Sequence, residues 1–592
     1  MKGYFGKILV INLSDRTYRD ETIDEAVYRD FLGGKGLAAH LLLEKNKPGV
    51  DPFSPENHLI FALGPMNDTR IWGSSRWGVY TKSPQTGIFS ESYSGGRVAE
   101  PMSRAGYDAF VLEGASVEPV YLEISDEGVV FHDAVNIWGA DAYTAQNMVT
   151  EQVNRKDAGV LVIGPAGEKM VRFAVIANNY WRHAGRSGAG AVMGSKKLKA
   201  LVFHGSQKRE VADPKAEMAF MKEWAQKSKD HPATKFFKTL GTPGMVDMLN
   251  EVNAFPSRYW SQGSVAHREA INAHTLNRDF TVKPNACNRC FLACGRMTTV
   301  REGRFKGLKI EGPEYETIFA FGGLCMVETL DEIIHLNDVC DRLGMDTITA
   351  GNLAGFAIEA SLRGKIPEKL SYGDSDAIAD LLTAIANKEG TGAVLAEGVR
   401  HAAKTWDMEE VAVHVKGLEP AGYDPRILKS MALAYATSDR GACHARTTAF
   451  KGEFAGLVEF DQIEGKAAML VDFEDRLTLM DAMIGCRFYR DLYLWDEFSK
   501  IIKIITGRDL DKAGLQRIAA NIRDAARTFN LREGITHKDD NLPDRFFEQG
   551  IGPEHKVISR EDFARMKNDY YEIRGWSDHG IPKMAENFLS HE

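Results

Sequence analysis

Three of the chain's seven cysteines fall within one short stretch, Cys287-Asn-Arg-Cys290-Phe-Leu-Ala-Cys294. This C-x2-C-x3-C run can present three thiolates to one face of a compact inorganic site, which then lacks one ligand. A tetrahedral zinc or a [4Fe–4S] cube needs four. The fourth must come from far along the chain, so the fold has to return a remote segment to this loop. Cys325, Cys340, Cys443 and Cys486 are the candidates. Thiolates select soft centres, which excludes magnesium and calcium here. Structural zinc usually shows paired C-x2-C or Cys/His halves. No second pair exists, and His274, the nearest upstream histidine, is poorly spaced. Iron–sulfur is therefore favoured over zinc. Three unliganded buried cysteines is the weakest reading, because so tight a triplet among seven is improbable by chance.

Seven is also a low and odd count for a disulfide scaffold, which points to a reducing compartment and hence the cytoplasm. The chain has 592 residues, enough for about three or four domains. Its net charge of -9 argues against a broad nucleic-acid footprint. No apolar run approaches the roughly 18 residues of a membrane span. The opening MKGYFGKILVINL is strand-like, is interrupted by Asn12 and carries no cleavage signal, so no signal peptide is expected.

Texture divides the chain. Residues 1–205 hold 24 of the 55 glycines and a series of short β-type runs: Lys7–Leu13, Leu59–Leu63, Phe110–Glu113, Val120–Ile124, Val160–Ile163 and Leu201–Phe203. Each run ends near Gly, Pro or Asp, as strands bounded by turns do. From about residue 213 the apolar spacing becomes helical, over Ala216–Ser228, Leu330–Leu343, Ile348–Leu362 and Ala377–Ala386. The expectation is an α+β chain with a β-rich domain at 1–210 and two mainly helical domains at 211–415 and 416–592.

Several charged constellations accompany the cysteines. Gly312-Pro-Glu314-Tyr315-Glu316 sets two carboxylates two apart, suited to general-base work if burial raises their pKa. Asp341-Arg-Leu-Gly344-Met345-Asp346 ends a helical pattern, with Gly344 as its C-cap. Asp481-Ala-Met-Ile-Gly485-Cys486 has a related shape, so the two suggest a pseudo-symmetric grip on two similar ligands. Ser438-Asp-Arg-Gly441-Ala-Cys443-His444-Ala-Arg446 gathers a histidine able to move protons near neutral pH with two guanidiniums. The glycine-rich basic run from Arg182 to Lys196 could cradle phosphate, yet it meets neither the Walker A nor the dinucleotide pattern. Glu332 and His335 share a helix face and could ligate a metal, although two solvated side chains explain them more simply.

Together these segments resemble the aldehyde:ferredoxin oxidoreductase family of tungsten enzymes. The resemblance runs nearly end to end: GKILVINL, FLGGKGLAA, LIFALGP, TKSPQTG, GPAGE, GRSGAGAVMGSKKLKA, CNRCFLACGR, EGPEYET, DRLGMD, LAYATSDRGACH and LREGITHKDDNLPDRF. It implies a β base domain under a bis-pyranopterin that holds tungsten or molybdenum, with helical domains above. It implies one [4Fe–4S] cluster on Cys287, Cys290, Cys294 and Cys486. It assigns Asp341, Met345 and Asp346 to one pterin and Asp481 to the other, although Gly485 stands one position late for the family's motif. Arg76 resembles the arginine bridging cluster and pterin. Arg182, His183 and Gly185 resemble the phosphate-side loop. Tyr93, with Gly95 and Gly96 beside it, and His183 fall where backbone carbonyls bind Mg2+ between the pterin phosphates. Arg446 and Arg487 are further basic contacts. Tyr315, Glu316 and His444 match residues beside the metal.

The implied activity is two-electron oxidation of an aldehyde to a carboxylic acid, with possible reversal. The implied partners are ferredoxin or a small iron–sulfur subunit, with a flavin subunit as a family possibility, in a homodimer or hetero-oligomer. The family's second Glu-x-x-His motif, which bridges dimers through a metal, is missing. One rival within the same fold is an aromatic acyl-CoA reductase of the benzoyl-CoA type, with Cys325 offered as an extra metal ligand. A rival from another class is a zinc-stabilised, non-catalytic binding scaffold.

Overall fold

A computed structural model describes residues 1–585; the last residues of the expected third segment, 586–592, lie outside them. The fold class is α+β, as expected. Six strands, β1 (Lys7–Asn12), β2 (Thr17–Thr22), β3 (Leu59–Ala62), β4 (Trp77–Lys82), β5 (Phe89–Ser94) and β6 (Ala109–Glu113), form one sheet in the order β2-β1-β6-β3-β4-β5. Six more, β7 (Val120–Ser125), β8 (Gly128–Asp133), β9 (Gly159–Val162), β10 (Ile176–Asn178), β11 (Arg182–Ala184) and β12 (Leu198–Phe203), form a second in the order β11-β10-β9-β12-β7-β8. The β1–β6 and β12–β7 pairs are parallel.

The continuous apolar run Ile8-Leu9-Val10-Ile11 follows from burial on both faces, where polar alternation has no place. Leu9 and Ile11 pack with Phe61, Phe110, Leu161 and Leu201, so the two sheets lie face to face. Ile8 and Val10 point the other way, against Leu37 and Leu41 of the helix Gly34–Lys45 and Ala525 and Phe529 of the helix Lys512–Arg532. The outer face of the second sheet is covered by the helix Ala142–Val153. The base is thus four layers, and a helix from near the C-terminus closes one of them. The expected helices appear as Pro214–Lys227, Leu330–Leu343, Thr347–Leu362 and Ser375–Asn387. The largest core cluster draws residues from Ala166 to Trp576.

Three further strands, β13 (Thr281–Asn285), β14 (Gly295–Thr299) and β15 (Lys309–Glu311), make a small antiparallel sheet. Asn285 pairs with Gly295, so the intervening cysteine loop is pinched at its base. Two straps hold that loop onto the rest. The Asn288 amide donates to the Gly96 carbonyl at 3.3 Å, and the Gly73 amide to the Arg289 carbonyl at 2.8 Å. The Gly73 carbonyl accepts from the Cys486 amide at 2.9 Å, so one glycine bonds to both cysteine segments.

The Asp481–Cys486 segment is seated by glycines of the base domain. A Cβ on Gly64 would lie 2.3 Å from the Met483 carbonyl oxygen, and one on Gly34 would lie 2.5 Å from that of Asp481. No real Cβ tolerates such contact with backbone. Gly64→Ala should therefore cost about 1–3 kcal/mol, the usual range for overpacking. Thermal denaturation against the parent measures it, and an unchanged midpoint would show that this turn yields freely.

Candidate active site

A cavity of about 670 Å3 opens between the base and the helical part. Two helix ends frame it. The helix Leu330–Leu343 ends on Gly344 at φ 80°, as its C-cap, with Asp341 in the last turn. Asp346 then caps the next helix, accepting from the Ile348 and Thr349 amides at 3.3 and 3.2 Å. The helix Lys466–Met483 ends the same way, except that Ile484 takes the left-handed position at φ 56°. The Met345 amide reaches back to the Cys340 carbonyl at 2.9 Å, and the Gly485 amide to that of Met480 at 2.8 Å. The late glycine of the second motif therefore does not change the turn. An isoleucine bears the strain instead.

The aspartates differ in their partners. Asp481 is gripped by Arg446, whose Nη1 lies 3.1 Å from Oδ2, and by Arg487, whose Nε lies 2.9 Å from Oδ1. Both guanidiniums lie over the Tyr93 ring, at 5.1 and 4.9 Å. Arg446 also pairs with the fully buried Glu91 at 2.5 Å. Asp346 receives Arg186 Nε at 3.2 Å. Asp341 has only neutral donors, Asn337 Nδ2 at 2.8 Å and Tyr143 Oη at 3.4 Å. Burial, with Asp338 behind it, holds its carboxyl well above the usual range.

The β10–β11 hairpin delivers Arg182 and His183. Arg182 Nε donates to Glu311 at 2.9 Å. His183 Nδ1 stands 3.7 Å from Asp341, and burial followed by Arg182 brings the imidazole down to about 4. Among the described residues its Nε2 is buried without a hydrogen-bond partner, as are Arg446 Nε, Glu316 Oε1 and His444 Nδ1. Buried polar atoms cost free energy unless bonded, so this cluster of orphans around one cavity is what a polar ligand would satisfy. Gly185 opens onto it, for a Cβ there would meet nothing nearer than Asp346 at 4.0 Å.

The cysteines gather at one end. Cys294 and Cys486 line the cavity, while Ala286 and Arg289 of the same loop are exposed. Cys287 Sγ accepts from the Gly96 amide at 3.2 Å. A Cβ on Gly95 would sit 2.8 Å from that sulfur. Burial, then Cys486 and Cys287, raises the Cys290 thiol to about 11, so a metal would have to displace its proton. Arg76 stands between sulfurs and cavity, with Nη2 on the Tyr93 carbonyl at 3.2 Å and Nη1 3.9 Å from Cys486. Among the described residues no three His, Cys, Asp or Glu converge tightly enough for a single ion. A cube, whose ligands stand at separate corners, does not need that convergence.

Of the other fourth-ligand candidates, Cys325 is buried and donates to the Gly351 carbonyl at 3.3 Å. It is not among the cavity-lining residues. Cys443 lies 2.9 Å from Arg440 Nη2, and despite burial Arg440 and three further arginines draw its thiol down to about 7. His335 rests flat on Phe305 at 4.4 Å.

Glu316 and His444 face one another, Oε1 to Nε2, at 3.4 Å. Burial pushes the Glu316 carboxyl from 4.5 up to about 8. Burial, with Arg186 and Arg440 next, holds His444 well below its ordinary value. Both shifts favour the neutral forms, so a carboxylic acid faces a neutral imidazole rather than forming an ion pair. The Gly422 amide donates to the other Glu316 oxygen at 3.1 Å. Tyr315 is fully buried, and its hydroxyl donates to the Gly422 carbonyl. Its proton is thereby spent on holding the Gly422 peptide against Glu316.

Residues 8–205 match the family model described as "Aldehyde ferredoxin oxidoreductase, N-terminal domain", and residues 219–587 match "Aldehyde ferredoxin oxidoreductase, domains 2 & 3". The chain belongs to the aldehyde ferredoxin oxidoreductase family. It is 36% identical to a tungsten-containing aldehyde ferredoxin oxidoreductase of Pyrococcus horikoshii, over 98% of each chain. It is 30% identical to an aliphatic sulfonate oxidoreductase, WOR-like subunit, of Pyrococcus furiosus, over 98% of this chain and 96% of that one. Its fold is that of the active-site complex BamBC of benzoyl coenzyme A reductase solved with 1,5-dienoyl-CoA, at TM-score 0.85 and 24% identity over 100% of this chain and 97% of the other.

Sequence reasoning missed the buried charges that fix Arg446. Glu91 lies inside β5, and Lys35 inside GGKG bridges it at 3.0 Å to Asp439 at 2.5 Å. The strand reads Phe-Ser-Glu-Ser-Tyr-Ser, and nothing in that polar run marks Glu91 as buried.

The raised Glu316 carboxyl makes a prediction of sign. Its contribution to stability is complete below 4.5 and is lost as pH rises through about 8. Glu316→Gln removes that loss, so its melting midpoint should climb relative to the parent between about pH 5 and pH 8. A constant offset across that range would show that the carboxyl titrates normally.

Proposed function

We propose that this chain oxidises aldehydes to carboxylic acids at a tungsten, or molybdenum, bis-pyranopterin and delivers the electrons through a [4Fe–4S] cluster to ferredoxin or an iron–sulfur subunit. The observation that carries this reading is the buried Glu316–His444 pair, 3.4 Å apart, on a cavity whose far end is lined by Cys294 and Cys486. Aldehyde and water become the acid, and two electrons and two protons leave. When bound, the metal and pterins supply the two-electron chemistry and the cluster the single-electron steps.

The chain's own residues do the rest. Cys287, Cys290, Cys294 and Cys486 would hold the cluster between cavity and surface, and Arg76 would place a positive charge beside it. Asp341, Met345 and Asp346 would hold one pterin. Asp481, with Arg446 and Arg487 fixed on it, would hold the other. Arg182, His183 and Gly185 would meet phosphate, and the Tyr93 and His183 carbonyls, near Gly95 and Gly96, would meet Mg2+. Glu316 and His444 move the proton of the attacking water or polarise the carbonyl. Tyr315 positions Gly422 and, through it, Glu316. The acyl-CoA alternative leaned on Cys325, whose thiol is committed to Gly351.

Elemental analysis of the purified protein should give tungsten or molybdenum together with iron; zinc alone would overturn the reading. Glu316→Gln should lose roughly 10²-fold in turnover with metal content unchanged. Cys290→Ala should lose the cluster's visible absorbance and electron delivery to external acceptors, and an intact signal would refute its assignment.

A further inference from the structure

The cavity carries one cation that the reading above leaves without work. Arg490 is 6% exposed and lines the cavity. Its one bond among the described residues runs from Nη1 to the Arg487 carbonyl at 3.0 Å, and its Nε is buried with no partner. Its neighbours are differently placed. Arg182, Arg186, Arg446 and Arg487 each pair with a carboxylate, and Arg440 is bonded to Cys443. The acid next to Arg490, Asp491, feels its charge but is taken by Lys451. Lys451, Arg490 and Asp491 together therefore leave one positive charge over. Lys451 also lines the cavity, and burial with Arg490 beside it brings its ammonium down to about 8. A desolvated guanidinium without an anion is costly, and its planar fork matches a carboxylate.

The surroundings say where that anion sits. Arg490 lies 5.7 Å from the Phe488 ring, which lies 4.7 Å from Phe237. Its charge reaches Tyr423, and Tyr423 stacks on His444 at 5.4 Å. Aromatic rings that line the one cavity therefore flank both the cation, at Phe488 and Phe237, and the acid–base pair, at Tyr423.

We propose that Arg490 receives an anionic group at the far end of the substrate, so that the enzyme prefers carboxylated aldehydes of apolar, ring-sized frame over neutral ones. This deepens and rests on the aldehyde-oxidation reading. In the step itself the formyl carbon gains a water oxygen and becomes a second acid. Two electrons leave singly to a one-electron carrier, and two protons go to solvent.

The test uses the metal-loaded enzyme with a viologen dye as acceptor, and compares 3- and 4-formylbenzoate with benzaldehyde. At least one formylbenzoate should exceed benzaldehyde by roughly tenfold in kcat/KM, the scale of one charge-assisted bond. Arg490→Met should abolish that preference and leave benzaldehyde turnover near the parent's, whereas Arg490→Lys should retain part of it. Calorimetry of isophthalate, terephthalate and benzoate binding should show the same pattern without turnover. A preference that survives in Arg490→Met, a parent without preference in either measurement, or loss of tungsten and pterin from Arg490→Met would each overturn the proposal. If the parent oxidises neither aldehyde, the aldehyde reading fails, and the binding data still judge Arg490.

Discussion

One residue, Gly73, bonds to two segments nearly two hundred residues apart, which also meet directly where the Phe291 amide donates to Tyr489 Oη at 3.2 Å. Its amide donates to Arg289 in the cysteine loop, and its carbonyl accepts from Cys486. Gly73 is held at φ 86°, and a Cβ there would lie 2.9 Å from the Tyr489 ring. The position requires glycine on both counts. The clasp and the Phe291–Tyr489 contact bring the triplet and the remote cysteine together. They stand at one end of the cavity.

The second theme is charge held away from water. Lys35, Glu91, Asp439, Arg446, Asp481 and Arg523 are almost fully buried and bonded in series. Such chains are weak evidence for stability, since desolvation offsets much of the attraction. Their value here is geometric. A guanidinium fixed by two carboxylates presents its remaining N–H groups in one direction, and Arg446 is fixed in that way. The same low-dielectric setting separates the protonation states of Glu316 and His444. Both are neutral where solvent would ionise the carboxyl, and this readies the pair to pass one proton.

Much of the fold could be read from the chain. The alternation from short apolar runs to helical spacing near residue 210 follows directly from two-sided burial of β1, β3 and β9 and from amphipathic helices such as Leu330–Leu343. Gly344 was legible as a helix cap because the left-handed position favours glycine. The equivalent at Ile484 was not, because an isoleucine carries no such signal. Glu91 and Lys35 were hidden for a related reason. Each is one charged residue with no local charge pattern around it, and its importance lies in what another element brings against it.

The sequence by itself determined the chemical types at the site: three closely spaced thiolates, two aspartate-bearing helix ends, a glutamate after proline and a histidine among arginines. These are local, because spacing along a helix, strand or loop sets which side chains can share a face. Tertiary structure alone decided the partners. It clamped Asp481 between Arg446 and Arg487, set Glu316 against His444, and left Arg490 without a carboxylate partner among the described residues. Pairings of that kind depend on which distant surfaces pack together and exclude water. A linear pattern records the groups available for burial, and the packed fold determines which of them meet.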